Sequence, residues 1–175
     1  MIAEVKPQTW YTRLTRKRII APASGALTVI RLVPTDPTHR KLFPQVVERC
    51  MKFIDLVHSD TDKIWLGNLL YSNFFQNTNL VQLLIATNAA GEIVAHNLSY
   101  VESRHSLGNV AVLLQLQKDE GDQSITDIGM RLCEEWARSL GIKTILNESA
   151  TRSRARLWRR YGFSEYRITS RKDLR

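Results

Sequence analysis

The stretch VAVLLQLQKDEGDQSITDIGMRLCEEWARSLGIKTILNESATRSRARLWRRYGFSEY, Val110 to Tyr166, decides the fold. It opens with a β-rich run, Val110 to Gln117, followed by an acidic turn from Lys118 to Gln123. A helix then starts at Ser124, because Ile125, Ile128, Leu132, Trp136 and Leu140 recur at spacings of three and four and form one apolar face. Gly141 follows as the C′ residue, where a left-handed backbone ends a helix at little steric cost. A second strand covers Lys143 to Asn147, and a short arginine-rich helix leads into Tyr161-Gly162-Phe163. Strand, helix, strand implies a right-handed crossover and a mixed sheet.

Upstream, three β-rich runs are joined by short turns. They are Leu80 to Thr87, Glu92 to Glu102 and Val110 to Gln117, and together they predict an antiparallel meander. Before them lie two helical patterns. Asp36 caps the first, with Pro37 as its first residue and Leu42, Val46, Cys50, Phe53 and Val57 as its apolar face. Asp60 or Thr61 caps the second, whose expected core side is Ile64, Trp65, Leu69 and Phe75. Ala26 to Val33 alternates and is β-branched, so it reads as a strand. Residues 1–25 form a basic arm, broken by Pro7 and Pro22, with Trp10, Tyr11, Ile19 and Ile20 available for docking. The domain proper is residues 26–175.

The order β-α-α-β-β-β-α-β-α-β, together with the ending L-W-R-R-Y-G-F-S-E-Y, resembles the GCN5-related N-acetyltransferase (GNAT) family. The resemblance covers about Leu27 to Ile168. It implies a single α/β (α+β) domain with a mixed, mostly antiparallel central sheet flanked by helices.

The resemblance also says where cofactor chemistry belongs. In the family, acetyl-CoA lies where the fourth strand splays from the fifth, and its pyrophosphate sits on the N-terminus of the next helix. Free N–H groups and the helix dipole favour phosphate there. The family loop, Arg/Gln-x-x-Gly-x-Gly/Ala, falls on Gly121-Asp122-Gln123-Ser124-Ile125-Thr126. The candidate cofactor residues are therefore Gln117, Gly121, Gln123, Ser124, Ile125 and Thr126. Gly121 stands at the Arg/Gln position, and Ser124 and Thr126 at the small ones. Asp119, Glu120 and Asp122 surround the loop, opposed in the sequence only by Lys118, and like charges at close range disfavour a pyrophosphate. Asp122 or Ser124 instead reads as a helix cap, with Asp127 close behind. The family's general acid, a tyrosine four residues before the Gly-Phe glycine, is Trp158 here. An indole N–H is no proton source near neutral pH. Arg154 and Trp158 are expected in the space of the thioester, and Tyr161 beside Leu157 against the sheet. The weak catalytic candidates are Glu148 and Tyr161. His96 and Tyr100 share a parity on their strand, with His96 free to face either side.

Charge is unevenly placed. The chain carries +8 overall, yet residues 1–20 hold five Lys/Arg and one Glu, and residues 151–175 hold nine Lys/Arg and two Asp/Glu. The remainder, with eleven Lys/Arg against fourteen Asp/Glu, is net −3. Two basic ends suit an anionic partner, either a nucleic acid backbone or an acidic neighbouring subunit. The candidate contacts are Arg13, Arg16, Lys17, Arg18, Arg152, Arg156, Arg159 and Arg160. Two cysteines, both within apolar helical patterns, predict buried reduced thiols and no metal site. No apolar run is long enough for a bilayer and no signal segment is present, which predicts an intracellular protein without a membrane role. These features predict a catalytically silent GNAT-fold protein that serves as a structural or binding component. By analogy with GNAT-like internal proteins of short-tailed phages, its place would be a virion, where it could also self-associate. No cofactor is expected on that reading. An active N-acetyltransferase would use acetyl-CoA and an amine acceptor.

Overall fold

The computed structural model describes residues 19–20, 27–55, 60–76, 79–119, 123–147 and 158–164. Their elements are β1 (Ile19–Ile20), β2 (Thr28–Arg31), α1 (Pro37–Asp55), α2 (Asp60–Gln76), β3 (Val81–Thr87), β4 (Ile93–Arg104), β5 (Gly108–Lys118), α3 (Gln123–Ser139) and β6 (Ile145–Asn147). From β2 onward this is the expected order, and the strand and helix ends fall within one to two residues of the predicted ones. The last helix is described only at its end, Trp158 and Arg159, and the final predicted strand lies outside the described residues.

One six-stranded sheet runs in the order β1-β2-β3-β4-β5-β6. Only β5–β6 is parallel, with Ala111 opposite Ile145, Val112 opposite Leu146 and Leu113 opposite Asn147. The long crossover through α3 makes that pairing possible. Ile19 and Ile20, within the basic arm of the sequence reading, pair with Val29 and Thr28 at the other edge.

Two helical layers sandwich the sheet. On one face α1 and α2 bury Phe43, Val46, Val47, Cys50, Leu66, Leu70 and Phe74 against Leu83, Ile85 and Leu98. On the other, α3 buries Cys133, Trp136 and Ala137 against Ala111, and Ile125 against Val29, Ala86 and Ala95. The sheet's period of two sends alternate residues of β3 and β4 to opposite layers. Both cysteines are free and buried, as expected.

The helix ends follow their sequence signals. Asp36 Oδ1 accepts from the Thr38 and His39 amides at 2.8 and 3.4 Å, which caps α1. At the end of α3, Gly141 takes φ 72°, and the Gly141 and Ile142 amides return to the Arg138 and Ala137 carbonyls. Gly162, φ 80°, ends the last helix in the same way, with its own amide on Arg159 and that of Phe163 on Trp158. Both are Schellman motifs, which require a left-handed residue at C′.

Two predicted faces need correction. Helix α2 does not bury Ile64, Trp65 and Phe75, which are exposed; it buries Leu66, Leu70 and Phe74, with Leu69 half-buried. Apolar residues surround this helix, so spacing alone fits either stripe. On α1 (Pro37–Asp55) Phe43 and Val47 join the buried face, and the predicted Val57 lies outside the described residues.

Candidate functional site

The site is built by a defect in β5. Leu98 pairs with Gln115 and Ser99 with Leu113, so Leu114 is an extra residue, a β-bulge. The bulge resets which way β5 side chains point. Beyond it Gln115 turns to the α1 layer, where its Nε2 donates to the Cys50 carbonyl at 3.2 Å. Leu116 turns to α3, its Cδ1 standing 3.5 Å from where a methyl group on Gly129 would sit.

Among the described residues the β5–β6 ladder reaches the same place. Its last described rung is Leu113 opposite Asn147, and the Asn147 side chain donates to the Leu113 carbonyl at 3.0 Å. Strand β5 continues to Lys118, and among the described residues no strand covers that side. The Asp119 amide donates to Val94 on β4 at 2.9 Å. By alternation along the strand, Leu116 presents its own N–H and C=O to the opening instead. The opening leads to the start of α3, whose first amides have no intrahelical acceptors.

Two side-chain groups shape this end. The Arg49 guanidinium, from the middle of α1, grips Asp119 through both oxygens at 2.6 and 2.8 Å and also donates to the Ile93 carbonyl at 3.0 Å. The hydrogen bond from Arg49 is the main reason the Asp119 carboxyl is held below its ordinary pKa. This corrects the expectation that only Lys118 opposes the acidic loop: Asp119 is neutralised by a residue seventy positions away. Asp119 is half exposed, so solvent screens the pair. The second group bridges the start of α3. Gln123 Nε2 donates to the Tyr161 hydroxyl, which donates to Asp127 Oδ1 at 2.7 Å. Tyr161 therefore reaches toward α3, not toward the sheet as the sequence reading expected. Partial burial and then the Asp127 carboxylate raise its pKa to about 12, which leaves it a poor proton donor. Trp158 packs its ring on Tyr161 and Phe163, with centroids 6.0 and 5.8 Å apart.

His96 faces the α1 layer and is buried. Gln115 spends its amide N–H on Cys50, so its Oε1 accepts from His96 Nε2 at 2.9 Å and Nδ1 carries the lone pair. Nδ1 is buried without a partner, and desolvation lowers the histidine pKa to about 4. A neutral, enclosed imidazole has no route to a substrate in the opening.

Of the predicted cofactor residues, Gln117, Gln123 and Ser124 lie along β5 and the start of α3. Ile125 and Thr126 turn inward and are buried, leaving only backbone toward the helix end. Arg159 and Arg160 are exposed at the last turn. Gly121, Glu148, Arg13, Arg16, Lys17, Arg18, Arg152, Arg154 and Arg156 lie outside the described residues. No group of His, Cys, Asp or Glu among the described residues could hold a metal ion. No described helix is long and apolar enough to cross a membrane. The sequence reading missed Arg49, a cation beside the apolar stripe of α1. Its adjacency to Cys50 was the available signal; nothing local pointed to its partner.

A mixed sheet with a bulged strand paired in parallel to its last described neighbour, beside a helix N-terminus, is the GNAT acetyltransferase fold. Solved structures agree. AAC(6')-Iy in complex with a CoA bisubstrate analogue superposes with a TM-score of 0.60 at 14% identity, over 85% of this chain and 99% of that one. A predicted acetyltransferase from Clostridium acetobutylicum with acetyl-CoA gives 0.60 at 15%, over 85% and 96%. Glucosamine-6-phosphate N-acetyltransferase from Arabidopsis thaliana gives 0.55 at 12%, over 85% and 99%. No protein-family model matches the sequence, and no curated protein does.

Proposed function

We propose that the opening between β5 and β6 holds an acyl-CoA and that the chain is an N-acyltransferase acting on an amine. One observation carries this reading: among the described residues the β5–β6 pairing reaches Leu113 and Asn147, whereas β5 runs on to Lys118 beside the start of α3. The residues that would hold the cofactor are the edge of β5 from Leu114 to Gln117 and the backbone of Gln123, Ser124, Ile125 and Thr126. The inward turn of Thr126 and the Arg49 grip on Asp119 make that end more receptive to phosphate than the bare sequence does. Bound there, acyl-CoA supplies an activated thioester. The chain contributes edge hydrogen bonds and orientation. Trp158 and the Asp127-bound Tyr161 leave proton delivery to solvent. The basic ends, Arg13 to Arg18 and Arg152 to Arg160, serve an anionic partner such as a DNA backbone or an acidic subunit.

Calorimetry with acetyl-CoA at low salt tests the binding step, and thiol release with a panel of amines tests the transfer. Micromolar binding that Ser124→Asp weakens at least roughly tenfold supports a working cofactor end, since a carboxylate there opposes phosphate. No heat at millimolar acetyl-CoA overturns it. A second reading, a non-catalytic structural component such as a virion protein, is favoured by the Gln123–Tyr161–Asp127 bridge across the start of α3. Binding without thiol release, or no binding, supports that reading.

A further inference from the structure

Helix α2 wears the wrong surface for solvent. From Ile64 on, the exposed positions among the described side chains are Ile64, Trp65, Asn68, Tyr71, Ser72, Phe75 and Gln76, none of them charged. Ile64 is 69% exposed, Phe75 54%, Tyr71 49% and Trp65 42%, and Leu80 just beyond the helix is 45% exposed. From Ile64 to Gly91 the chain carries no Asp, Glu, Lys, Arg or His. The other two helices are built differently. On α1 Lys52 pairs with Glu48 at 2.8 Å; on α3 Arg131 pairs with Glu135 at 3.0 Å and Arg138 with Glu134 at 2.7 Å. A solvated helix face ordinarily carries such charges. Interface cores lack them and are rich in aromatics.

We propose that this face of α2 packs on the same face of a second copy, as an isologous dimer with the two helices antiparallel. Three features single out a second copy over another occupant. A chain of net +8 repels its own kind wherever its basic ends approach, and an uncharged face is where two copies meet without opposing like charges. An acidic partner would instead be drawn to the arginines and would gain nothing here. The pattern is also self-complementary. Ile64, Asn68, Tyr71 and Phe75 recur at spacings of four, three and four, so a two-fold axis at mid-stripe sets Ile64 against Phe75 and Asn68 against Tyr71 of the other copy. Apolar pairs then flank a central amide–phenol pair, a polar contact that fixes register. The area suffices as well: three half-exposed aromatics with Ile64 and Leu80 offer roughly 500 Å² per copy, or about 1,000 Å² over the pair, the lower bound for a specific interface. The edge-to-face contacts of Phe43 with Tyr71 and Phe75 hold two of these rings in place before association, which lowers the ordering cost.

Sedimentation of the full chain between about 1 and about 300 µM tests this. The expected result is a reversible monomer–dimer equilibrium whose Kd changes little between about 0.1 and about 0.5 M NaCl, because no charges meet. Ile64→Lys, at the most exposed position, should raise Kd at least roughly tenfold with unchanged circular dichroism. A monomer at every concentration overturns the proposal, as does a dimer that salt dissociates or that Ile64→Lys leaves intact. Should Ile64→Lys fail to fold, Asn68→Cys decides, since Cys50 and Cys133 are buried. A short bis-maleimide should then link two copies through residue 68, and absence of that product overturns the proposal.

Discussion

Helices α2 and α3 are the same length, 17 residues, and lie on opposite faces of one sheet, yet they are built on different principles. Helix α3 separates its two sides by polarity: Ile125, Met130, Cys133, Trp136 and Ala137 are buried, while Asp127, Arg131, Glu135 and Arg138 are exposed. Helix α2 carries its charged residues, Asp60, Asp62 and Lys63, only in its first turn; from Ile64 on it is apolar or neutral, with Leu66, Leu70 and Phe74 inside and Ile64, Tyr71 and Phe75 outside. Charge therefore does a second job in a helix beyond solubility. It states which side is out. Where that statement is missing, side is decided by the fit of particular residues to the sheet, and the outer side is left adhesive.

The largest expected effects test which side of α2 is the core. Leu70→Ala removes a side chain with no solvent exposure from a cluster with Phe43, Leu83 and Leu98, and should cost about 3 kcal/mol. Ile64→Ala, one stripe away, should cost under about 1 kcal/mol in the monomer, since most of that side chain is already in water. Urea denaturation of the two variants side by side measures both. Equal costs would mean that the two sides of α2 are not distinct.

Much of the architecture was legible because its signals are local. The Asp36 cap, the glycine at 141 and the meander turns each need only a few neighbouring residues, and each was found as read. The α3 face was legible in part: Ile125 and Trp136 are buried as read, Ile128, Leu132 and Leu140 are half-buried, and Met130, Cys133 and Ala137 complete the core side. The α2 face was not, since no charge marks its outer side from Ile64 on. The site divides in the same way. The position of the candidate site, between β5 and β6 at the start of α3, is what the family resemblance implies. Its electrostatics do not follow from the sequence, because Arg49 meets Asp119 through tertiary packing alone. The direction of Tyr161 likewise depends on how the last turn docks on Asp127.

The two sheet faces should also part company in acid. The polar groups buried under α3, namely Gln82, Asn97 and Ser99, take no proton as pH falls, whereas His96 on the α1 and α2 side is a base held neutral by burial. Its ordinary pKa is 6.5 and its folded value about 4. An unfolded chain therefore takes up a proton below about 6.5 that the folded chain refuses until about 4. Stability is full above pH 6.5 and falls as the pH drops toward 4, by up to about 3 kcal/mol. His96→Gln, which keeps an amide donor for Gln115, should flatten that slope in denaturation curves taken at successive pH values. An unchanged slope would place the acid-sensitive group elsewhere.

A smaller effect comes from the glycines inside the two helices. A methyl group on Gly129 would stand 3.5 Å from Leu116 Cδ1 and 3.7 Å from Asn97 Nδ2, and one on Gly67 would stand 3.5 Å from Met51 Cε. These are ordinary contacts, so helix propensity decides the sign. Each Gly→Ala change should stabilise by about 0.5 to 1 kcal/mol, read as a rise in Tm. Gly129 also lines a small cavity with Leu116, Asn97 and Ile125, so its variant should gain at least as much as that at Gly67.

The smallest effect concerns the charges that define the outside of α3. Arg131 with Glu135, and Arg138 with Glu134, are spaced i to i+4 and exposed, so each pair should contribute only about 0.3 to 0.5 kcal/mol. Arg138→Ala should lower Tm slightly, and high salt should erase the difference. Arg131→Leu together with Glu135→Leu is more telling. It should leave stability nearly unchanged yet give α3 an apolar outer patch like that of α2. If an uncharged helix face is by itself adhesive, this variant should associate more strongly than the parent in sedimentation. If it does not, adhesion on α2 requires its particular self-complementary order of Ile64, Asn68, Tyr71 and Phe75, and absence of charge is only the permissive part.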